Sequence, residues 1–373
     1  MRIVRSAVNA AFAAAATRLA DLPASDVDRA FGVARTLAAA MGIPLRERLG
    51  PRGMNGWLQL LADALRRTPY GAPLEFEHPF VISLSATGFC PFACSNCYSG
   101  SGSGKASSPV RDRMLIFEKV AASKTPTVIV SGGEPLVAEN IGECLELLLE
   151  KGKLVFVSTN ALVDGHVDLV RKYDGLLHFI LPVWGDQKRH DALRGAHSLA
   201  RVEKNLAVLN AAGQAPEILM VLTKIDSSML EEVLRLVRVY NVDVVTMTRR
   251  IDVGRIEGTG LDVSAEGIRT IRHWRDVLRK HVRVVVCDLP EMREKSPDRW
   301  LNWLVGLPKR GGCSAGSWMM HIDDSGQGFP CFSLEGRDNW ASGRELSIAE
   351  QWMSVRTMRD RSSANALCMG EQR

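Results

Sequence analysis

The chain lacks any run of about 18 consecutive apolar residues, so the sequence predicts no membrane-spanning helix. Dense runs of lysine or arginine are also missing, and a net charge of +5 over 373 residues gives no reason to expect a nucleic-acid partner. The eight histidines are scattered without the spacing of metal ligands. What remains is typical of a globular protein, with 46% hydrophobic and 24% charged residues.

The first 78 residues carry helical patterns and no strand pattern. The opening segment, MRIVRSAVNAAFAAAATRLADL, places its arginines on one side of an amphipathic helix. We interpret it as a packed or surface helix; a helix on a membrane surface, with peripheral membrane contact, is the alternative. Residues 1–78 are therefore predicted to form a helical extension.

From residue 79 onward, short apolar segments alternate with amphipathic ones, which predicts parallel strands joined by helices. Six such units over residues 79–260 make either a doubly wound sheet or an incomplete βα barrel. A helix and one further strand are predicted in the connecting segment 261–312, and short strands with a polar helix in the tail 313–373. The predicted strands of the six units are 80–85, 127–131, 153–158, 177–184, 217–223 and 242–247. The helices predicted between them are 111–122, 139–152, 164–173, 198–212 and 228–240.

Cysteine is used sparingly, yet three of the eight cysteines lie in one loop, GFCPFACSNCY, directly after the first predicted strand. Cys90, Cys94 and Cys97 follow the spacing C-x3-C-x2-C. Thiolates at the carboxyl end of such a strand suit an iron–sulfur cluster or zinc. Only one C-x2-C pair is present, whereas structural zinc usually takes paired ones, which favours the cluster.

The segment CPFACSNCY resembles the cysteine motif of the radical S-adenosylmethionine (radical SAM) superfamily. SGGEP (131–135) and STN (158–160) are similar to that family as well. The resemblance implies a partial (βα)6 barrel of TIM type with a [4Fe-4S] cluster on Cys90, Cys94 and Cys97. It implies that S-adenosylmethionine chelates the fourth iron. It also implies that reduction yields methionine and a 5′-deoxyadenosyl radical, which abstracts hydrogen from a substrate.

Several residues at the predicted strand ends are candidates to bind S-adenosylmethionine. Paired glycines let the backbone approach a ligand closely, and Glu134 offers an acceptor to a cationic amine. For the STN segment, a polar turn or helix cap is the alternative. The chain departs from the family at Asn96, where relatives are often aromatic, and at PVWGD (182–186) after the fourth strand. The candidate cofactor-binding residues are Gly132, Gly133, Glu134, Ser158, Thr159, Asn160, Asp186, Thr223 and Arg255.

The tail carries a second set of cysteines. Cys313, Gly326 and Cys331 stand at C-x12-G-x4-C spacing, which resembles the start of the SPASM/Twitch extensions of the same superfamily. The resemblance implies one auxiliary iron–sulfur cluster on Cys313, Cys331 and Cys368. Glycine permits a hairpin between the first two thiols. Cys287 is a further candidate ligand, with a buried strand thiol as the alternative.

These observations predict a radical SAM enzyme that works in the cytoplasm at low oxygen, with a reductant such as flavodoxin or ferredoxin. Peptide or protein modification is the predicted reaction class, because relatives with such tails most often act there. Radical modification of a small molecule, a cofactor precursor or a lipid is the alternative. A non-enzymatic iron–sulfur protein for electron transfer or sensing is a third hypothesis. It predicts loss of the residues that bind S-adenosylmethionine, whereas Glu134, Thr159 and Asn160 are present.

Overall fold

The computed structural model describes most of the chain from residue 75 to residue 361. The described ranges are 75–222, 227–250, 253–257, 263–287, 315–316, 318–336 and 338–361, with 56, 59–60, 62–64 and 67 before them. The described positions between 56 and 67 are helical, in agreement with a helix predicted there. The rest of the predicted N-terminal extension lies outside the described residues.

Nine strands form one sheet within the described ranges. Their order is β7-β6-β5-β4-β3-β2-β1-β8-β9, and every neighbouring pair is parallel except β8 and β9. The six strands of the predicted βα units lie in chain order from β1 to β6, which is the arrangement of a partial TIM-type barrel. The strands are β1 Val81–Ser85, β2 Thr127–Ser131, β3 Leu154–Ser158, β4 Leu177–Pro182, β5 Glu217–Leu222, β6 Val244–Arg249, β7 Arg283–Cys287, β8 Met319–Ile322 and β9 Gly328–Phe329.

Helices connect the parallel strands as predicted. One helix was not predicted, and it occupies the stretch between β4 and the next long helix. It begins after Asp186, whose carboxylate accepts a hydrogen bond from the backbone of Arg189 at 2.9 Å as an N-cap. The helices are α1 Val110–Ala122, α2 Ile141–Glu150, α3 Val167–Lys172, α4 Gln187–Arg194, α5 Ser198–Ala211, α6 Ser227–Val239, α7 Ala265–Leu278 and α8 Ile348–Arg361.

Alternation along the strands separates an apolar face from a more polar one. In β1, Ile82 and Leu84 belong to the main core with helix residues such as Phe117, whereas Ser83 and Ser85 alternate with them. Helices cover the apolar face, and burial of each large aliphatic side chain there stabilises the fold by roughly 1.5–3 kcal/mol. The opposite face therefore supplies polar groups to the inside of the barrel.

The tail docks onto the first strand. β8 pairs with β1 in parallel, with Ser83 opposite His321, and so joins two segments far apart in sequence. The hairpin from β8 to β9 turns at Gly326, which has a φ of 88°, as the glycine in the cysteine pattern predicted. The indole of Trp352 donates to the carbonyl of Phe76 at 2.7 Å and fixes α8 against the chain before β1. These contacts place the tail beside the loop that holds the first three cysteines.

Candidate functional site

The cysteine loop follows β1 and is held by backbone contacts from several elements. The amide of Cys90 donates to Gly102 at 3.3 Å, and the amide of Arg255 donates to Cys97 at 3.0 Å. Cys90 and Cys94 are buried, and Cys97 is half-buried. The three predicted cluster ligands thus lie on one anchored loop at the carboxyl edge of the sheet, where βα enzymes place their chemistry.

Burial favours the protonated form of two of these thiols. Burial, with a smaller contribution from Glu134, raises the pKa of Cys90 to about 11. The pKa of Cys94 is also raised by burial, while the charge of Arg194 acts in the opposite direction. A bound metal cluster would supply the positive charge that converts such buried thiols to ligands.

Within the described ranges, no three His, Cys, Asp or Glu side chains are grouped so as to hold one metal ion. A single metal ion is bound by all of its ligands at once, so their side chains must converge on one point. In a four-iron cluster each of the three cysteines binds a different iron, so the sulfur atoms lie around a larger object.

The glycines of the SGGEP segment pack directly against the cysteine loop. Gly133 donates its amide to Thr87 at 2.7 Å, and the amide of Glu134 donates to Phe89 at 2.9 Å. A Cβ on Gly133 would lie 2.0 Å from the carbonyl oxygen of Phe89, and Gly132 has a φ of 111°. Only glycine permits this close approach of the two loops.

Glu134 connects the ends of β2 and β3. Its carboxylate is fully buried and accepts hydrogen bonds from the Thr159 hydroxyl at 2.5 Å, the Asn160 amide at 2.7 Å and the Leu136 amide at 3.2 Å. Burial raises the pKa of Glu134, and these donors oppose that shift. A carboxylate offers about four acceptor positions, so room remains for one further donor. Ser158 lies just before this cluster at the end of β3.

Arg194, at the end of the unpredicted helix α4, reaches the same place. Its guanidinium donates to the side-chain oxygen of Asn160 and lies 6.0 Å from the ring of Trp184. Burial lowers the pKa of Arg194, and the charges of Cys94, Cys97 and Glu134 act in the opposite direction. Arg194 was not selected as a candidate from the sequence. The signal that could have identified it is a basic side chain about two turns beyond a capped helix start at a strand end.

Two other predicted residues have local partners. Asp186 caps α4, as described above. The guanidinium of Arg255 donates to the carbonyl of Cys94 at 2.7 Å and to the carbonyl of Ser101, so it holds the cysteine loop against the following loop. Thr223 lies outside the described residues.

Arg113 is a further residue that the sequence reasoning missed. It is 2% exposed, and all five of its N–H groups donate to loop atoms. Its acceptors lie at both ends of the connection between β1 and α1 and in the residues just before α2. They are the Ala86, Ser108 and Glu139 carbonyls and the Ser107 and Asn140 side chains. The signal was present, because Arg113 lies at helical spacing from buried Phe117 and Val120 on the apolar face of α1.

The segment SGSGSGKASS (99–108) has the composition of a flexible linker, yet it packs on the cysteine loop. Ser101 is 3% exposed, and Gly102 pairs with Phe89. Ser107 accepts a hydrogen bond from Thr87, which in turn accepts one from the Phe89 amide. Arg113 and Arg255 supply the partners that order this polar, glycine-rich segment.

The residues present fit an iron–sulfur cluster carrying S-adenosylmethionine. Three thiols share one loop, and the glycines of SGGEP leave no space for a side chain beside it. Among the described residues, buried polar atoms without a hydrogen-bond partner surround the loop: both amide atoms of Asn96, the indole nitrogen of Trp184 and the Nε of Arg194. Buried polar groups are normally paired, so these unpaired atoms mark a place where a polar ligand binds.

In the tail, Cys331 is a buried cysteine at the start of the turn after β9. The residue after it, Phe332, contacts the ring of Tyr98, which follows Cys97, with 4.8 Å between centroids. The two cysteine segments are therefore neighbours. Cys287 is the last residue of β7. Cys313 and Cys368, the other predicted auxiliary ligands, lie outside the described residues.

Among the described residues, no helix has the length and apolar character needed to cross a membrane. No curated protein matches the chain at a significant level. Solved structures do match it. SuiB of Streptococcus suis bound to S-adenosylmethionine is 18% identical over 84% of this chain and 76% of SuiB, with a TM-score of 0.63.

Two further structures show the same fold. SuiB bound to its precursor peptide SuiA is 17% identical over 85% of this chain and 75% of SuiB, with a TM-score of 0.62. The enzyme anSMEcpe with bound AdoMet and the Cp18Cys peptide is 13% identical over 78% of this chain and 88% of that chain, with a TM-score of 0.52. Residues 84–245 match the Radical SAM superfamily. That match begins near the end of β1, ends at the start of β6 and includes the cysteine loop and the SGGEP segment, so this part of the chain is similar to the radical SAM superfamily.

Proposed function

We propose that this enzyme modifies a peptide or protein by hydrogen abstraction, with the cluster on Cys90, Cys94 and Cys97 and with S-adenosylmethionine between the ends of β1, β2 and β3. The observation that carries the cofactor assignment is the contact between the SGGEP segment and the cysteine loop. The paired glycines and Glu134 contact Thr87, Gly88 and Phe89, which directly precede Cys90. Once reduced, such a cluster supplies the electron that cleaves S-adenosylmethionine to methionine and a 5′-deoxyadenosyl radical.

The surrounding residues hold the ligands in place. Gly132 and Gly133 bring backbone close to the site, and Glu134 offers its remaining acceptor position to the amino group of S-adenosylmethionine. Arg194 lies beside Glu134 and the thiols, where its positive charge can pair with a carboxylate. Arg255 anchors the cysteine loop through the Cys94 carbonyl. Ser158, Asp186 and Thr223 remain proposals for cofactor contacts.

We also propose an auxiliary iron–sulfur cluster on Cys313, Cys331 and Cys368. The support for it is the buried Cys331 at the end of the β8–β9 hairpin and its position beside the first cysteine loop. A cluster there would be close enough to exchange electrons with the substrate site. A reductant such as flavodoxin or ferredoxin in a cytoplasmic, low-oxygen setting completes the proposal.

Peptide modification is favoured because SuiB and anSMEcpe, which share this fold, are seen with peptides bound. A groove on the surface of this chain supports it: a cavity of about 520 Å³ lies between α1 and the tail, large enough for several residues of an extended chain. Ile116, Ile322 and Ile348 supply apolar lining, and Lys119 and Glu345 supply charges.

The cofactor assignment is tested by anaerobic purification and reconstitution, followed by iron and sulfide counts. We expect about eight irons for two clusters, and formation of 5′-deoxyadenosine when reductant and S-adenosylmethionine are added. The double variant C313A/C331A should lose about four irons and keep the rest. An unchanged iron count in that variant would remove the auxiliary cluster from the proposal.

The substrate class is tested with peptides encoded beside the gene of this enzyme. Each is incubated with the reconstituted enzyme, reductant and S-adenosylmethionine, and examined by mass spectrometry. We expect a mass change in one peptide together with an increase in 5′-deoxyadenosine formation. If a small molecule from a cell extract depleted of peptides stimulates the reaction instead, the peptide proposal is wrong and the small-molecule alternative stands.

A further inference from the structure

A second, smaller cavity lies beside the cysteine loop and is separate from the residues discussed so far for S-adenosylmethionine, apart from Gly132. Its volume is about 230 Å³, below the roughly 300–1,000 Å³ of sites that enclose a whole small ligand. It therefore suits one side chain or one functional group. The cavity is lined by Ser85, Thr87, Gly88, Ser99, Ser101, Lys105, Ala106, Gly132, Asp324 and Glu335.

The cavity touches the reaction centre on one side. Gly132 lines it and belongs to the segment that packs on the cysteine loop. Ser99 also lines it, and the Ser99 hydroxyl lies 3.3 Å from the sulfur of Cys97. A substrate group held in this cavity would be adjacent to the place where hydrogen abstraction occurs.

A carboxylate from the tail is fixed on the opposite side. Glu335 lies 3.1 Å from Nε2 of His321, and Nδ1 of the same ring lies 3.2 Å from the hydroxyl of Ser83. His321 is 1% exposed, so the ring is locked between barrel and tail and holds the Glu335 carboxylate in one position. Of the two Glu335 oxygens, Oε2 contacts the imidazole.

The polar lining shows an excess of acceptors. Asp324 provides a second carboxylate. Ser85 is 6% exposed and lines the cavity, where its hydroxyl oxygen can accept a hydrogen bond. Lys105 is the one cation among the lining residues; it is exposed and donates to the carbonyl of Ser99 at 3.2 Å.

We propose that this cavity binds a positively charged amine or guanidinium group of the substrate, with Glu335 as its anchor and Asp324 and Ser85 as additional acceptors. An ammonium group carries three donors and no acceptor, which complements two carboxylates and a hydroxyl oxygen. Asp324 also lines the 520 Å³ groove, so the two cavities meet at that residue. A peptide in the groove would place a lysine or arginine side chain in the smaller cavity; this assignment rests on the proposed peptide substrate.

The test uses a randomised library of short peptides, selected anaerobically on the immobilised holoenzyme with S-adenosylmethionine present. Four proteins are compared: wild type, E335Q, D324N and the control E118Q, which changes an exposed carboxylate on α1 that lines neither cavity. We expect lysine or arginine to be enriched at one position on wild type and E118Q, and the enrichment to be lost on E335Q. D324N provides the same test should E335Q fail to retain its clusters.

A selected peptide and its copy with the basic residue replaced by methionine then give a double-mutant cycle. On wild type the replacement should weaken binding about tenfold, and on E335Q it should have little effect. Peptides that are retained without a basic preference, or an equal preference on wild type, E335Q and D324N, would overturn this inference while leaving the proposed function intact. Retention of no peptide at all would contradict the proposed function, and this inference with it.

Discussion

The hydroxyl of Thr159 donates to the carboxylate of Glu134 at 2.5 Å, which joins the loop after β3 to the loop after β2 inside the protein. Burial of a charged carboxylate is unfavourable unless hydrogen bonds stabilise it. Glu134 is fully buried, and this contact and the hydrogen bond from the Asn160 amide provide that stabilisation. The same two loops carry the segments SGGEP and STN. The sequence resemblance assigned both segments to cofactor binding, and the structure shows that they form one hydrogen-bonded unit.

The closest approach in this unit yields the first prediction. In G133A the new Cβ would lie 2.0 Å from the carbonyl oxygen of Phe89, so the SGGEP segment must move away from the cysteine loop. We expect the affinity for S-adenosylmethionine to fall at least about tenfold, or about 1.4 kcal/mol, measured by equilibrium dialysis on the reconstituted enzyme. The matched control is G142A in α2, where the added Cβ meets no atom within 4 Å. Equal affinities in the two variants would contradict the assignment of this contact.

Arg113 gives the second prediction. Replacing it by methionine removes five hydrogen bonds and leaves buried acceptors unpaired, at roughly 1–3 kcal/mol for each such group. Because Ser107 connects Arg113 to Thr87, the cysteine loop should loosen. We expect R113M to hold less iron after reconstitution than wild type, and S107A to show a smaller loss in the same direction.

The control for Arg113 is R111M, which removes an exposed arginine from the same helix. R111M should match wild type in iron content and in circular dichroism. If R113M also kept its full iron content, Arg113 would serve only the packing of α1. A readout by electron paramagnetic resonance separates a distorted cluster from an absent one.

Some of these features follow from local sequence patterns, and others depend on contacts between distant segments. The alternation of apolar strands and amphipathic helices predicted β1 to β7, because local periodicity is set by which face is buried. The pairing of Ser83 with His321 could not be predicted, since it joins segments 238 positions apart through tertiary docking of the tail. Arg113 was visible as a charge on an apolar helix face, but its five acceptors come from two separate connections, the one from β1 to α1 and the one from β2 to α2.

Arg194 leads to a prediction about the cluster's reduction potential. Its charge acts favourably on Cys94 and Cys97, so it offsets the negative charge that three thiolates bring to the cluster. Removing a nearby positive charge makes the addition of an electron harder. We expect R194M to lower the midpoint potential by about 60 mV, a tenfold change in a one-electron equilibrium, in a titration followed by electron paramagnetic resonance.

The conservative variant R194K serves as the control for charge. It keeps the positive charge but not the planar guanidinium that donates to Asn160. We expect it to restore most of the potential while binding S-adenosylmethionine less tightly than wild type. A potential in R194M equal to that of wild type would show that the charge is compensated elsewhere.

The helix that carries Arg194 depends on a buried neutral histidine, which gives a prediction about acid stability. His190 is fully buried, and its Nδ1 accepts a hydrogen bond from the Trp184 amide at 3.1 Å. Burial, with a contribution from Arg194, lowers the pKa of His190 from 6.5 to about 3. Between these two values the unfolded chain binds the proton and the folded chain does not, so stability rises with pH across this window.

The stabilisation from His190 is therefore complete above pH 6.5 and is lost as the pH falls toward 3. H190Q carries no titrating group at this position. Its unfolding free energy should be below that of wild type at neutral pH and should approach the wild-type value as the pH falls. The difference in unfolding free energy should shrink by up to about 1.4 kcal/mol per pH unit, measured by urea unfolding between pH 7 and pH 5. H273Q, which changes an exposed histidine, should keep a constant difference from wild type over the same range. A constant difference for H190Q as well would show that the His190 ring is protonated in the folded enzyme and that the Trp184 amide has another acceptor.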